Sequence, residues 1–285
     1  MGSTSEEGAG DRLVPAGREP GGTMVGQDGV RDEAAGGAGY ELPSSGIACD
    51  PAYEAFVRER REAILERLGA ACARAGRDAS EVMVEAVSKT VDVDAVVAAM
   101  RAGYVAFGEN RPQELVRKLD ALAQAGVEAP RFDMIGNLQT NKVNQVLGRA
   151  HLIHSISSAH LAEAVSKRAE RAGIRVPVLL ECNVSGEASK SGFSPDEARA
   201  AAEGLCELGG ISVEGLMTMA PAHDPAAARA TFSGLRELAA DLRVRTGLKL
   251  PTLSCGMSDD FEIAVEEGST LVRLGRIVFS NAYAL

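Results

Sequence analysis

A chain of 285 residues, 45% of them apolar and 25% charged, has the composition of a globular protein with material for one large domain or two ordinary ones. Asp and Glu outnumber Lys and Arg by 40 to 30 and aromatic residues make up only 4%, which argues against a basic, aromatic-studded nucleic-acid surface. No apolar run reaches the ~18 residues that cross a bilayer, and the N-terminus lacks the basic-then-apolar order of a signal peptide, so the expectation is a cytoplasmic protein with no membrane association.

Residues 1–48 are rich in Gly, Ser, Pro and acidic side chains and show no periodicity, the composition of a segment that cannot bury enough surface to order itself. They are predicted to form a disordered tail, with residues 49–285 as the folded domain. Through Asp50 the chain holds three Arg against nine Asp or Glu, so −6 of the net −10 sits there and the remainder is only mildly acidic. Five cysteines, odd in number and without CxxC spacing, predict reduced thiols rather than a disulfide framework or a zinc site. From Pro51 to Arg77, the residues Ala55, Phe56, Ile64, Leu65, Leu68 and Cys72 recur at helical spacing among Glu and Arg, predicting an amphipathic helix ahead of the first strand.

The stretch from Val82 to Thr90 reads Val-Met-Val-Glu-Ala-Val-Ser-Lys-Thr, a short apolar strand over 82–88 that ends by presenting Lys89. Alternation puts Lys89 on the side of Val87, Glu85 and Met83. An apolar enclosure on that side would disfavour the charged amine and lower its pKa. A partly neutral lysine is a nucleophile for aldehydes, the chemistry of a Schiff base with pyridoxal phosphate.

After Lys89, short β-rich runs alternate with helical stretches. Further strands are predicted over 104–109, 131–135, 151–156, 177–184, 213–219, 252–255 and 271–279. Helices are predicted over 92–102, 111–125, 140–148, 158–172, 195–209, 225–245 and 259–267. Eight strands with helices between them fit a (β/α)8 TIM barrel, whose site lies at the C-terminal strand ends. An open doubly wound sheet is the alternative.

Polar residues follow several strands: Ser88-Lys89-Thr90, Gly108-Glu109-Asn110, Gly136-Asn137-Leu138-Gln139, Asn183-Val184-Ser185 and Ser254-Cys255-Gly256-Met257-Ser258. In a barrel these face one mouth. The loop after the seventh strand offers Ser hydroxyls and a Gly at a helix start, and Gly275 lets backbone amides approach an anion, so this unit is a candidate phosphate cradle. Asp259 and Asp260 would repel a phosphate unless they point away as caps. Arg273 shares strand parity with Gly275 and is placed inward. There it either faces a pyridine nitrogen, to which a guanidinium can only donate, or pairs with a carboxylate such as Glu109. His151, His154 and His160 gather around the fourth strand, two of them at strand spacing and without a metal-ligand arrangement, so no metal site is expected. Met217 and Met219 are expected to fill the barrel.

Five blocks carry a resemblance: Ala86-Val-Ser-Lys-Thr90; Phe107-Gly-Glu-Asn110; Ile135-Gly-Asn-Leu-Gln-Thr-Asn-Lys142; Ser189-Lys-Ser-Gly192; and Leu253-Ser-Cys-Gly-Met-Ser-Asp-Asp260 with Gly268-Ser-Thr-Leu-Val-Arg-Leu-Gly275. Together they resemble the YggS/PROSC family of pyridoxal-phosphate homeostasis proteins from about Glu54 to Phe279. The resemblance implies a single α/β barrel of the alanine-racemase N-terminal type (fold type III) that binds pyridoxal 5'-phosphate (PLP). It implies that Lys89 holds the aldehyde, Asn110 lies beside the ring, Arg273 faces the pyridine nitrogen, and Ser254, Ser258 and Gly275 surround the phosphate. Lys142 and Lys190, in matching blocks, are secondary candidates for aldehyde or phosphate contacts.

Three positions depart from the family pattern. Glu85 stands where an apolar residue is usual, Arg276 where Thr or Ser follows the glycine, and Ser280 where Gly is usual. Arg276 would bring a cation close to the phosphate. Glu85, if inward, would pair with Lys89 and keep its amine protonated. The function this implies is PLP homeostasis without strong catalysis, with PLP and PLP-dependent apoenzymes as partners and a monomer or weak dimer as the assembly. The alternatives are an amino-acid racemase, which needs acid–base groups on both faces of the cofactor, and a sugar-phosphate barrel enzyme.

Overall fold

The computed structural model describes residues 46–285, so the predicted tail lies outside the described residues except for Gly46, Ile47 and Ala48. Helix α1 (Pro51–Ala75) begins because the Asp50 side chain accepts the Ala52 N–H at 2.9 Å and Pro51 takes the first helical position. It ends at Gly76, whose φ of 65° is the left-handed cap. Its buried face is Val57, Ile64, Leu68 and Cys72; Ala55, expected on that face, is exposed, and Phe56 and Leu65 are only half-buried. That face packs on α2 (Val93–Arg101) and α8 (Phe261–Glu266), with Arg67 forking onto Glu262 at 2.9 Å through two nitrogens.

Eight strands, β1 (Met83–Val87), β2 (Ala106–Glu109), β3 (Arg131–Met134), β4 (Ile153–Ile156), β5 (Val176–Glu181), β6 (Ile211–Met217), β7 (Thr252–Ser254) and β8 (Leu271–Leu274), pair in parallel in chain order. Strand β8 returns to β1 in the register Met83↔Leu271 and Glu85↔Arg273, which closes the barrel and rules out the open sheet. The outer layer is completed by α3 (Pro112–Gln124), α4 (Val143–Val146), α5 (Ala159–Arg171), α6 (Pro195–Cys206), α7 (Pro225–Thr246) and α9 (Arg276–Phe279).

Two predicted elements differ. The helix expected over 140–148 is a 3-10 turn at Thr140–Lys142 followed by the single turn α4. The strand expected over 271–279 stops at Leu274, and Val278 and Phe279 N–H groups fold back onto the Gly275 carbonyl to form α9. Ile277, Val278 and Phe279 are all buried, and a short apolar run does not by itself distinguish a strand from a buried helical turn.

The two faces of the sheet bury different chemistry. Outward residues such as Ala86, Phe107, Phe132, Val178, Leu216, Val272 and Leu274 join the helices in one apolar core. Inside the barrel the buried apolar residues include Val87, Ala106, Leu152, Leu179, Met217 and Leu271, but the middle layer is polar: Glu85, Asp133, His154, Ser254 and Arg273 are all buried. Met217 fills the barrel as expected, whereas Met219 is exposed. All five cysteines are free, and burial pushes the Cys182 thiol up to about 12 and Cys255 to about 11. Among the described residues no helix is long and apolar enough to cross a membrane.

Ile47 is half-buried against the core although it falls within the segment assigned to the tail, so packing begins before residue 48. Deleting residues 2–45 is therefore expected to leave the melting temperature unchanged, whereas deleting residues 2–48 should cost about 1 kcal/mol and lower it by roughly 2–4 °C, measured by calorimetry.

Candidate functional site

The C-terminal strand ends converge on one mouth, and the β1–β2 seam sets its geometry. In the register Val87↔Gly108, carried two residues on, Lys89 stands beside Asn110. Asn110 is held by the next strand end: a Cβ at Gly136 would lie 2.2 Å from the Asn110 carbonyl oxygen, so only glycine lets the β3 end approach this closely. Gly275 flanks the end of β1 on its other side, its Cβ position 3.4 Å from the Val87 carbonyl oxygen.

Lys89 is exposed, and no hydrogen bond or ion pair engages it among the described residues. The apolar enclosure expected around its amine is absent, because the strand ends at Val87 and a turn closed by the Val91 N–H on the Ser88 carbonyl follows. Glu85 does face inward but forms no ion pair with Lys89. Four residues of strand separate the two by roughly 13 Å, and the Glu85 carboxyl lies instead in the barrel's middle layer.

Behind the sheet, the Lys118 ammonium of α3 donates to the Ser88 carbonyl at 2.6 Å and to Glu109, which also accepts from the Ser88 hydroxyl at 2.6 Å. Lys118 and Glu109 side chains are each 1% exposed. This buried pair fixes the backbone immediately before Lys89 and Asn110. It also removes Glu109 as the alternative partner for Arg273: consecutive strand residues face opposite sides, and Glu109 points at the helices.

Arg273 is inward and 5% exposed. One guanidinium nitrogen donates to the Ser254 carbonyl at 2.7 Å and hydroxyl at 2.6 Å, the other to the Thr218 carbonyl at 3.0 Å. Three of its five N–H groups are thus spent on β6 and β7, pinning the guanidinium below the mouth. Ser254, expected at the phosphate, is fully buried and shared between Arg273 and His154 Nδ1 at 3.1 Å, so it belongs to this floor.

Ser258 and Gly275 do come together: the Ser258 hydroxyl accepts the Ile277 N–H of α9 at 3.3 Å, and Gly275 caps that turn. The two acids beside them point away as caps and ion pairs. Asp260 accepts the Met257 N–H at 2.6 Å, and Asp259 accepts from Arg276 at 2.5 Å and from the Tyr283 hydroxyl at 2.7 Å. The Tyr283 hydrogen bond, against partial burial and with help from Arg276, holds the Asp259 carboxyl below its usual range. Arg276 is consequently neutralised by Asp259 rather than left as a free cation. Lys190 is also engaged, with Glu187 and with the Met219 carbonyl at 3.1 Å, whereas Lys89 has no such partner among the described residues.

Sequence reasoning missed the layer beneath. Among the three histidines only His154 points inward; His151 and His160 are exposed. His154 Nε2 lies 3.2 Å from Asp133 and 4.0 Å from Glu85. Ligand-type atoms of these three residues fall within 4.8 Å of one another, a spacing a cation could use. Asp133, however, already receives Arg131 through two nitrogens at 2.9 and 3.1 Å, and Arg273 lies alongside, so the chain supplies its own positive charge here. Glu181 is a further buried inward acid, its carboxyl pushed up by burial against the pull of Arg273. Strand parity would have found Asp133 and Glu181, since both alternate with outward apolar residues.

The match to known proteins is extensive. Residues 61–282 fit the family model for the alanine racemase N-terminal domain. The pyridoxal phosphate homeostasis protein of Aquifex aeolicus is 41% identical over 224 residues, covering 78% of this chain and 97% of that one. A crystal structure of an unknown protein from Bifidobacterium adolescentis superposes with a TM-score of 0.77 at 39% identity, covering 82% of this chain and 99% of the other. PipY of Synechococcus elongatus PCC7942, solved with PLP bound, superposes with a TM-score of 0.67 at 33% identity, over 76% of this chain and 100% of PipY.

The Lys118–Glu109 pair is open to direct measurement. Lys118→Met leaves a buried carboxylate without its cation and should cost about 3–5 kcal/mol in urea unfolding. Adding Glu109→Gln should recover much of that loss.

Proposed function

Because the chain belongs to the pyridoxal phosphate homeostasis protein family, built on the alanine racemase N-terminal domain, we propose that it binds PLP through Lys89 in the cytoplasm and buffers or delivers the cofactor to apoenzymes. The observation that carries this reading is the pairing of an exposed, unpartnered Lys89 at the mouth with a guanidinium, Arg273, pinned below it. Bound PLP would supply an aldehyde for the lysine, an electron-withdrawing ring and a phosphate.

Each residue then has a limited task. Lys89, without a partner among the described residues, is available to take the aldehyde and to release it. Arg273 presents its remaining N–H groups to a ring nitrogen. It can only donate, so it holds that nitrogen without protonating it and weakens the ring as an electron sink. Asn110 borders the ring from β2. The amides of the Gly275–Arg276 turn, with Ser258, suit an anion, and the paired Asp259 and capping Asp260 do not oppose it. A weak electron sink and an exposed amine favour reversible holding over turnover.

Borohydride reduction of the PLP-loaded protein followed by peptide mass spectrometry should place the adduct on Lys89, and Lys89→Ala should abolish it while the fold persists. An adduct on Lys142 or Lys190 would refute the assignment.

The loaded protein should show negligible racemase, transaminase or decarboxylase activity on common amino acids, yet exchange PLP with solution. Turnover of any one amino acid at an ordinary enzymatic rate, on the order of 1 to 1000 per second, would replace the carrier reading with an enzymatic one.

A further inference from the structure

We propose that Glu85 is kept as the neutral acid and donates its proton to Asp133, and that this carboxyl–carboxylate pair, acting through His154 and Ser254, positions Arg273 beneath the mouth. The last step rests on the cofactor reading above; the first does not.

Glu85 is fully buried, and neither of its carboxyl oxygens receives a hydrogen bond from any described group. An ionised carboxylate in that setting would be shut off from bulk solvent with no donor among the described residues, a combination proteins avoid. Cations are near but turned elsewhere. Arg273 is the register partner of Glu85 on β8, yet its hydrogen bonds go to Ser254 and Thr218 on the far side. Arg131 of β3 is spent on Asp133. Strand β2 offers only Gly108, whose Cβ position would be 2.9 Å from Glu85 Oε2, so the missing side chain is what makes room for the carboxyl. The polar neighbours left to Glu85 are Asp133 and His154.

Donor direction decides between them. Ser254 Oγ accepts from Arg273 at 2.6 Å, which leaves its own proton for His154 Nδ1 at 3.1 Å. A neutral His154 accepting there carries its proton on Nε2, which faces Asp133 Oδ2 at 3.2 Å. The chain of bonds therefore runs Arg273 to Ser254 to His154 to Asp133, and Asp133 is its terminal acceptor. His154 has no proton to spare for Glu85. Two buried carboxyl groups with oxygens within 4.8 Å of one another need a proton between them, and Glu85 is the one without other donors.

The charge environment agrees. Burial first, and the Asp133 charge second, push the Glu85 carboxyl well above its ordinary range, against Arg273 and Arg131. Asp133 is held low despite burial, by His154 and Arg131. Burial lowers His154, opposed by its bond to Asp133, which favours the neutral ring. Asp133 and Arg131 then cancel, and Arg273 remains the cation of the floor, faced by Glu181 of β5.

The test begins with the cofactor-free full-length protein. Infrared spectra at neutral pH should show the carbonyl band of a protonated buried carboxyl that disappears in Glu85→Gln. Because the Glu85 carboxyl is raised in the folded state, the folded protein holds a proton the unfolded chain loses above about pH 4.5. Stability from this group is therefore full at low pH and declines as pH rises toward the folded value, and the melting temperature of E85Q relative to wild type should climb as pH rises above the ordinary carboxylate range. A missing band, or a difference that stays flat with pH, overturns the proton assignment. A stoichiometric divalent metal retained by wild type and lost in E85Q also overturns it, making the cluster a cation site.

For the positioning step, Glu85→Leu, which cannot donate, should weaken PLP binding about tenfold, the loss of one buried hydrogen bond, while E85Q restores it. Wild-type affinity in E85L overturns that step. Failure of wild type to bind PLP at all would sink the cofactor reading and leave the infrared and pH results to decide the proton assignment.

Discussion

Closure of the barrel between β1 and β8 is the constraint on which the rest depends. It turns every second residue of eight strands into one shared interior, and in this chain the middle of that interior is polar. Shut off from bulk solvent, each charge has to be settled by groups of the barrel wall itself. Arg131 is matched to Asp133, Arg273 is braced by carbonyls and a hydroxyl from β6 and β7, and His154 links the two systems. Glu85 can exist there because Gly108 leaves it space.

Two lysines near the mouth show how strand parity divides labour. Lys118 approaches from α3 on the outer face of the sheet and is buried against Glu109 and the Ser88 carbonyl, permanently engaged. Lys89, one residue beyond Ser88, emerges at the open end without a partner. The same side chain is a structural tie in one place and an available nucleophile in the other. An amine that is exposed, on a backbone anchored from behind, suits a group that must be held and then let go.

Beside Ser258 and Gly275 the nearby acids do not act as bare negative charges. Asp259 joins Arg276 and Tyr283, and Arg276 also lies over the Tyr283 ring at 5.3 Å, so these contacts tie the loop after β7 to the last residues of the chain. Tyr283 and Phe279 in turn receive hydrogen bonds from Arg60 and Tyr53 of α1. The N-terminal helix therefore supports the turn after β8 as well as packing on α2 and α8.

Much of this was legible in the sequence. The alternation of β-rich and helical runs determined the eight-strand count, the lysine at the end of β1 and the inward parity of Arg273, because local periodicity follows from backbone geometry that each segment carries with it. The matching blocks pointed to the family. Local pattern also misled where it was ambiguous: Ile277 to Phe279 read as strand but turn as helix, and Ile47 was assigned to the tail but packs. What only tertiary structure decided was who faces whom. Barrel closure put Glu85 beside Arg273, brought Asp133 and His154 from two other strands to the same layer, and drew the Ser254 hydroxyl into the floor. Those partnerships depend on register and on which donors other strands have already claimed, information that no single stretch of sequence contains.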